Sequence, residues 1–369
     1  MPKRQSKVLL AIIGACFISQ LAQLVKRPQY SGRLSLCYIA MIDKAYFTRD
    51  YSAIDMDNAI TIMETNGQSP PSIPEIVQYL AAAPHKVIMV DNTSAQRLAE
   101  SYPLFLSRGI SIVTPNKKAF SGDLDIWQRI FKAAETGGSY VYHESSVGAG
   151  LPVVCTLKDL VATGDEVTRI EGVFSGTLSY LFNSFSPIAQ INGAVEDNWS
   201  TQVAKAERLG FTEPDPRDDL NGLDVARKLT ILARLAGLPI TSPTSFPVES
   251  LIPKGLEGAS STQEFLEGLP QFDHEMKDRK IAAEKSGKVL RYTGSVDMAT
   301  KTVKVALEEA DRSSPIAQLK GSDNIIVFHT KRYGRLPLIV QGAGAGAEVT
   351  AMGVLGDLLR VLAQIMLPV

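Results

Sequence analysis

Residues 213–228 read E-P-D-P-R-D-D-L-N-G-L-D-V-A-R-K, and they decide how the second half of the chain folds. Pro214 and Pro216 restrict the backbone and push the residues before them towards extended geometry, which predicts a fixed loop. Asp218 or Asp219 is then a natural N-cap for a helix that buries one apolar face. That face comprises Leu220, Leu223, Ala226 and Leu229.

Asp224 and Lys228 are four positions apart, so they share one face of the predicted helix beside its apolar residues. A lysine that is partly desolvated beside carboxylates can donate and accept a proton, which favours a catalytic role. The alternative is an N-capped helix with an ordinary ion pair, which is a common feature of helix surfaces. The stretch alone leaves both interpretations open.

The composition is that of an ordinary globular protein. Its 369 residues are enough for two domains, with 45% hydrophobic and 21% charged residues. A net charge of −1 argues against nucleic acid as the main partner. The three cysteines and four histidines show no metal-type spacing, which argues against a zinc enzyme and a disulfide framework. The cysteine pattern predicts a cytoplasmic protein.

The N-terminal segment has two interpretations. Basic residues within 3–7 precede an apolar run, as they do in a secretory signal peptide. Alternatively, residues 8–13 form a buried parallel strand, followed by a turn at Gly14 and a helix from Phe17. We favour the strand, because further strands and helices follow at the spacing of β-α-β units. We expect no other run to span a membrane.

Strands and helices alternate over the first half of the chain, which predicts a doubly wound, Rossmann-like parallel sheet. Polar or glycine-rich turns follow successive strands, where such a sheet binds its ligand. We therefore predict a nucleotide-binding domain over residues 1–152, completed by a C-terminal helix at 342–369. The predicted strands are 34–41, 86–90, 109–113 and 140–143, and a helix is predicted at 74–83.

The second half predicts an α+β domain over residues 153–341, because its strands alternate in the manner of antiparallel strands. A Ser-Gly-Thr turn at 175–177 opens a helix that extends through Phe182. Residues 242–271 are rich in serine, proline, glutamate and glycine and are expected to be irregular surface. The predicted strands are 170–174, 288–296, 301–308, 324–330 and 337–341.

Five stretches together resemble homoserine dehydrogenase, in the short monofunctional form of fungi. They are T-P-N-K-K-A-F (114–120), V-Y-H-E-S-S-V-G-A-G-L-P (141–152), I-E-G-V-F-S-G-T-L-S-Y (170–180), G-F-T followed by residues 213–228, and Q-G-A-G-A-G-A-E-V-T (341–350). The resemblance implies an NAD(P)-dependent interconversion of L-aspartate 4-semialdehyde and L-homoserine in threonine and methionine biosynthesis. It also implies a homodimer whose interface lies in the second domain.

The resemblance also implies a role for individual residues. Lys228 would be the acid/base residue, and Lys117 would sit between cofactor and substrate. The remaining assignments fall into three groups. The amino-acid substrate would contact Gly176, Thr177, Glu213, Asp219 and Asp224. The cofactor, NADP(H) or NAD(H), would contact Gly14, Ala15, Thr93, Ser94, Lys117 and Gly346. A monovalent cation such as Na⁺ would bind the Glu144 carboxylate and the backbone carbonyls of Val147, Ala149 and Leu151.

Two features depart from the family pattern. The first turn reads G-A-C-F-I-S (14–19), where a dinucleotide-binding turn would read G-x-G-x-x-G, so two glycines are missing. Phe211 stands where the family has tyrosine. The shortened turn raises an alternative: a non-catalytic dimeric homologue with impaired cofactor binding. The motifs contain no cysteine, which disfavours a dehydrogenase with a thiol nucleophile.

Overall fold

A computed structural model describes residues 7–14, 17–189 and 198–366. The chain divides into two compact units. The first consists of Met1–Gly150 together with Gly346–Val369, and the second of Leu151–Ala345.

The first unit contains six strands and eight α-helices within the described residues. In chain order up to residue 150 they are β1 Val8–Ile13, α1 Ile18–Val25, β2 Leu34–Ala40, β3 Ala45–Phe47, α2 Ala59–Asn66, α3 Ile73–Ala81, β4 Lys86–Asp91, α4 Gln96–Glu100, α5 Tyr102–Leu106, β5 Ser111–Val113, α6 Lys118–Ser121, α7 Leu124–Gly137 and β6 Val141–Tyr142, followed by a 3₁₀ turn at Glu144–Ser146.

The second unit and the returning C-terminal helix complete the described chain. The elements are α8 Val154–Ala162, β7 Val167–Val173, α9 Gly176–Phe185, α10 Trp199–Arg208, α11 Arg217–Leu220, α12 Leu223–Leu235, α13 Thr262–Gly268, α14 Asp273–Lys285, β8 Lys288–Asp297, β9 Thr302–Asp311, β10 Asp323–Thr330, β11 Leu338–Ala343 and α15 Ala347–Met366, with 3₁₀ turns at Lys254–Leu256 and Leu269–Phe272. Of these, α15 belongs to the first unit.

The first unit is built on a sheet with the order β3-β2-β1-β4-β5-β6. All neighbours are parallel except β2 and β3. The unbroken apolar run of β1 is buried between β2 and β4, as expected for a strand covered on both faces. The strand predicted at 8–13 is therefore confirmed. Because β1 pairs with both β2 and β4, the order of the sheet reverses beside it, which is where such sheets bind ligands.

The second unit has a five-stranded antiparallel sheet, ordered β11-β10-β7-β8-β9. Helices α9, α12 and α14 pack against β8. The predicted fold class, a Rossmann-like parallel sheet with an α+β second domain, is confirmed.

The single helix predicted from residue 218 or 219 onwards is wrong, because the segment forms two helices, α11 and α12. Gly222 lies between them with φ +74°, a conformation that favours glycine. An added Cβ there would lie 2.1 Å from the Tyr292 hydroxyl oxygen, so the close approach also requires glycine. The Asn221 side chain accepts a hydrogen bond from the backbone N–H of Leu223 at 2.8 Å and so supports the start of α12.

The expectation of irregular structure at 242–271 is confirmed for residues 242–253, which form no helix or strand, but it is wrong further on, since α13 begins at Thr262. The Ser261 hydroxyl accepts a hydrogen bond from the N–H of Glu264 at 3.1 Å, and the Glu264 carboxylate accepts one from the N–H of Ser260 at 2.7 Å. This reciprocal capping was visible in the sequence as a serine three residues before a glutamate. Phe265 is fully buried and anchors the helix.

The C-terminal helix was predicted from residue 342, but residues 338–343 form the edge strand β11 and α15 begins at Ala347. By length and composition α15 is apolar enough to cross a membrane, contrary to our expectation for the rest of the chain. Its inner face is part of the first unit's core and includes Val354, Leu358 and Val361. Such packing is what a core helix of a globular unit shows.

Candidate active site

Gly14 directly follows β1, at the point where the first sheet reverses its order. It has φ +83°, its N–H donates to the Ala40 carbonyl at 2.9 Å, and its carbonyl accepts from the Asn92 side chain at 3.1 Å. An added Cβ would lie 3.2 Å from the backbone of Asn92. The position therefore keeps side chains away from the edge that a dinucleotide approaches. Ala15, the next predicted cofactor contact, lies outside the described residues.

The loop after β4 presents Thr93 and Ser94. The buried Asp91 carboxylate accepts hydrogen bonds from the N–H of Thr93 at 2.8 Å and from its hydroxyl at 2.7 Å. This side-chain turn fixes the loop. Ser94 is exposed beyond it.

The loop after β5 carries Lys117, which lies directly before α6 and is partly buried. The preceding residue, Asn116, is buried and donates to the Asp91 carboxylate at 3.2 Å. Because β4 and β5 are parallel neighbours, both loops leave the same edge of the sheet. The sequence pointed to both turns, but it gave no signal for the contact that joins them.

Gly346 is exposed directly before α15 and has φ +120°. Its carbonyl accepts from the N–H of Thr350 at 3.0 Å, so it opens the first turn of that helix. The N–H groups of a helix N-terminus favour an anion such as a phosphate.

The turn after β6 carries the predicted cation ligands. The Glu144 side chain is 5% exposed, and its Oε2 lies 3.6 Å from Nη1 of Arg360. Gly148 and Ala149 are both in the left-handed region, with φ +77° and +53°, so the backbone turns sharply there. Val147 is buried in the same turn. Leu151 begins the second unit, and its carbonyl accepts from the N–H of Val153 at 2.9 Å.

Lys228 is the centre of a cluster within the second unit. It lies on the buried side of α12 and is 7% exposed. Its Nζ donates to the carbonyl oxygen of Phe174, just after β7, at 2.6 Å and lies 2.7 Å from a carboxylate oxygen of Asp224. The ammonium group is thus held by two partners. The i,i+4 spacing predicts one of them, Asp224.

Asp219 and Thr177 hold the loop at residues 211–213 by hydrogen bonds to its backbone. The Asp219 carboxylate accepts from the N–H of Glu213 at 2.8 Å, and the Thr177 hydroxyl donates to the carbonyl of Phe211 at 2.6 Å. Burial raises the pKa of Asp219, and the negative charges of Glu213 and Asp224 add to that rise. Asp219 is therefore not the N-cap that we expected from the sequence. It holds the loop that carries the exposed Glu213.

Gly176 opens α9 behind that loop. An added Cβ would lie 3.1 Å from the Ser322 carbonyl oxygen, so the site requires a glycine or a shift of that backbone. The loop itself is fixed by Arg217, which pairs with Asp215 and donates to the carbonyl of Ala259 at 2.6 Å. The sequence carries no local signal for this role of Arg217, because its partner Ala259 lies 42 positions away.

Phe211, where the sequence resemblance implies a tyrosine, stacks on Tyr180 with ring centroids 4.2 Å apart and an interplanar angle of 16°. The aromatic contact keeps the backbone carbonyl of Phe211 in reach of Thr177. The loop is thus anchored at this position without a hydroxyl group on its side chain.

Two family models match the chain. The NAD-binding domain of homoserine dehydrogenase matches residues 19–144, and the homoserine dehydrogenase domain matches residues 152–359. The homoserine dehydrogenase of Paracoccidioides brasiliensis is 54% identical over 96% of each chain, and that of Saccharomyces cerevisiae is 47% identical over 95% of each. These similarities give no support to the alternative of a non-catalytic homologue.

Solved structures share the fold. A crystal structure of a Candida auris protein described as of unknown function has a TM-score of 0.91 and 47% identity, covering 98% of this chain and 99% of the other. A hyperthermophilic archaeal homoserine dehydrogenase in complex with NADPH has a TM-score of 0.70 at 20% identity, covering 97% of this chain and 98% of the other. The second likeness concerns the fold alone.

Proposed function

The chain belongs to the homoserine dehydrogenase family, and on that premise we propose which residues carry out the NAD(P)-dependent interconversion of L-aspartate 4-semialdehyde and L-homoserine. The observation that carries the proposal is the buried ammonium group of Lys228, held between the Phe174 carbonyl and the Asp224 carboxylate. A buried cation beside carboxylates is suited to exchanging a proton with an oxygen atom of a substrate.

Lys228 is the acid/base residue. Reduction of the aldehyde leaves negative charge on its oxygen, and an ammonium group nearby stabilises that charge and delivers the proton. The contact of Nζ with the Phe174 carbonyl at 2.6 Å and its ion pair with Asp224 at 2.7 Å hold the group in place. The Lys228 side chain therefore loses little conformational entropy when the substrate binds.

The carboxylates of the segment 213–228 select an amino-acid substrate. Glu213 and Asp219 supply negative charge for the substrate ammonium group, and Asp224 does so while pairing with Lys228. Gly176 and Thr177, at the start of α9, line the same pocket. Because Glu213 is exposed whereas Asp219 is partly buried, Glu213 is the more accessible to an incoming substrate.

The first unit holds NADP(H) or NAD(H). Gly14 supports this assignment, since its φ of +83° and the contact that a Cβ would make leave room only for backbone at the edge of the sheet. Thr93, Ser94, Lys117 and Gly346 contribute further contacts, and Ala15 adds one more. When bound, the nicotinamide supplies or accepts the hydride. The residues of the chain bind and orient the cofactor.

A monovalent cation such as Na⁺ binds the turn after β6. The nearly buried carboxylate of Glu144 supports this proposal, together with the left-handed backbone at Gly148 and Ala149 that redirects carbonyl oxygens. Hard oxygen ligands of this kind suit Na⁺. The carbonyls of Val147, Ala149 and Leu151 complete the proposed set.

We further propose that the enzyme is a cytoplasmic homodimer, with its interface in the second unit, that acts without nucleic acid or membrane. A net charge of −1 supports the absence of a nucleic-acid partner. Size-exclusion chromatography with light scattering tests the dimer directly. A monomer over the working range of concentration contradicts it.

The decisive experiment combines turnover with binding. Oxidation of NADPH and of NADH is followed with aspartate semialdehyde, and each cofactor is titrated directly. Turnover with either cofactor supports the proposal. Cofactor binding without turnover, in the presence of substrate, contradicts it.

Lys117→Ala is expected to lower kcat by about 10- to 100-fold and to weaken cofactor or substrate binding, because one cation leaves the reacting region. The measurement is kcat and KM for both substrates beside a direct NADPH titration. Lys132→Ala is the matched control, since that lysine lies on the surface of the same unit with its side chain 70% exposed. If Lys117→Ala and Lys132→Ala have equal kinetics, the proposed role of Lys117 is wrong.

Replacing NaCl with choline chloride at equal ionic strength is expected to lower the melting temperature by a few degrees, since a bound ion stabilises the folded state by mass action. Glu144→Gln is expected to abolish the difference between the two salts. The measurement is a thermal melt of both proteins in both salts. A salt difference that survives in Glu144→Gln refutes the assignment of this carboxylate.

A further inference from the structure

A buried carboxylate joins the two loops that leave β4 and β5. Asp91 is fully buried, and its side chain accepts hydrogen bonds from four donors. They are the N–H of Thr93 at 2.8 Å, the Thr93 hydroxyl at 2.7 Å, the Tyr102 hydroxyl, and Nδ2 of Asn116 at 3.2 Å. Two of the donors thus lie on the loop after β4 and one on the loop after β5.

Asn116 extends the contact to both sides of Lys117. Its Nδ2 also donates to the Ala95 carbonyl at 3.2 Å, and its Oδ1 accepts from the N–H of Lys118 at 3.0 Å. Its own N–H donates to the Thr114 hydroxyl at 2.9 Å. The backbone immediately before and after Lys117 is therefore held by one side chain.

The charge of Asp91 has no cationic partner among residues 7–14, 17–189 and 198–366. Burial raises the pKa of its carboxyl group, and the hydrogen bonds from Tyr102, Thr93 and Asn116 oppose that rise. A buried acceptor that loses a donor is costly, so each of these contacts restricts where the donors can lie. The hydrogen bonds around Asp91 therefore fix the positions of the donor groups, and they do not pair its charge with a cation.

We propose that Asp91 and Asn116 are positioning residues for the reaction, holding the loop that carries Lys117 against the loop that carries Thr93. The proposal rests on the roles proposed above for Lys117 and Thr93. Without the contact the strands before both loops still form. The ammonium group of Lys117 and the cofactor contacts of Thr93 are then no longer held in fixed positions relative to each other. A misplacement on this scale lowers turnover although no reacting group is removed.

Asn116→Ala tests the proposal against Tyr102→Phe. Both variants remove one donor from the Asp91 carboxylate, but only the first also removes the side-chain hydrogen bonds to the Ala95 carbonyl and from the N–H of Lys118, on either side of the contact. For Asn116→Ala, we expect kcat to fall by about tenfold or more and the Kd for NADPH to rise by a similar factor. For Tyr102→Phe we expect a lower melting temperature, with kcat and Kd within about twofold of the natural enzyme.

The reciprocal exchange provides a rescue. Asp91→Asn places two amide donors against each other, and Asn116→Asp places two carboxylates together, so each single change is expected to impair turnover. Combining Asp91→Asn with Asn116→Asp restores one donor facing one acceptor. The double variant is expected to recover about tenfold over Asn116→Asp, since both lack the hydrogen bond to the Ala95 carbonyl and differ only at the contact with position 91.

Three results overturn the proposal. The first is that Tyr102→Phe impairs kinetics as much as Asn116→Ala. The second is that the double variant is no better than Asn116→Asp. The third is that Asn116→Ala keeps natural kinetics while Lys117→Ala loses turnover. The failure of the proposed function gives a different pattern, since Lys117→Ala then has natural kinetics itself.

Discussion

Lys228→Ala is expected to lower kcat by about 10²- to 10⁴-fold, the usual range for loss of a positioned acid or base. The reason is its burial at 7% exposure with Nζ held by the Phe174 carbonyl and Asp224, an arrangement that no other residue of the cluster can reproduce. The fold should survive, since the Asp224 side chain is 41% exposed and water can replace its partner. Steady-state kinetics and a thermal melt measure both effects.

The control for this variant is Lys277→Ala, which removes an exposed lysine from α14 in the same unit. NADPH titration completes the experiment, because the Kd should change little if Lys228 acts on the substrate oxygen. Turnover within about threefold of the natural enzyme contradicts the acid/base assignment. A large rise in the Kd for NADPH would instead indicate that Lys228 binds the cofactor.

Lengthening the first turn to a full G-x-G-x-x-G is expected to tighten NADPH binding by about ten- to a thousand-fold. The turn at 14–19 lacks the last two glycines, and with them the close approach of backbone and the amides that a pyrophosphate contacts. Each hydrogen bond to a charged group is worth roughly 1.5–3 kcal/mol, so one or two account for that range.

The lengthened protein should melt at nearly the same temperature without cofactor, since β1 and α1 keep their buried faces. An insertion of the same length without glycine is the matched control, and it should not tighten binding. If the natural chain already binds NADPH as tightly as the lengthened one, the short turn is compensated by other contacts and the prediction is wrong.

The sheets could be predicted from the sequence because their strands carry local signals. The apolar run of β1 and the alternation of exposed and buried residues at the start of β9 mark strands whatever their neighbours. The residues at which strands begin and end are less predictable from the sequence. The edge strand β11 alternates between partly buried and exposed residues, and its glycine-rich end resembles the start of the helix that follows.

Parts of the candidate site depend on contacts between distant residues, and these leave no local pattern. The spacing of Asp224 and Lys228 predicted their pairing, whereas nothing near Lys228 points to the Phe174 carbonyl, 54 positions away. Likewise, the sequence around Asp219 predicts a helix cap. Its hydrogen bond from the backbone of Glu213 forms across the loop and leaves no local pattern. Asp91 and Asn116 fall within turns that the sequence marks, but their contact spans 25 positions.

The return of α15 to the first unit has a consequence for synthesis on the ribosome. The core of that unit combines Val8, Leu10 and Ile12 from the first strand with Val354 and Leu358 from the last helix. The second unit, Leu151–Ala345, is continuous in sequence and is translated completely before α15 begins. Throughout that time the apolar surface that α15 will cover has no native partner, which is the condition under which nascent chains recruit chaperones or aggregate.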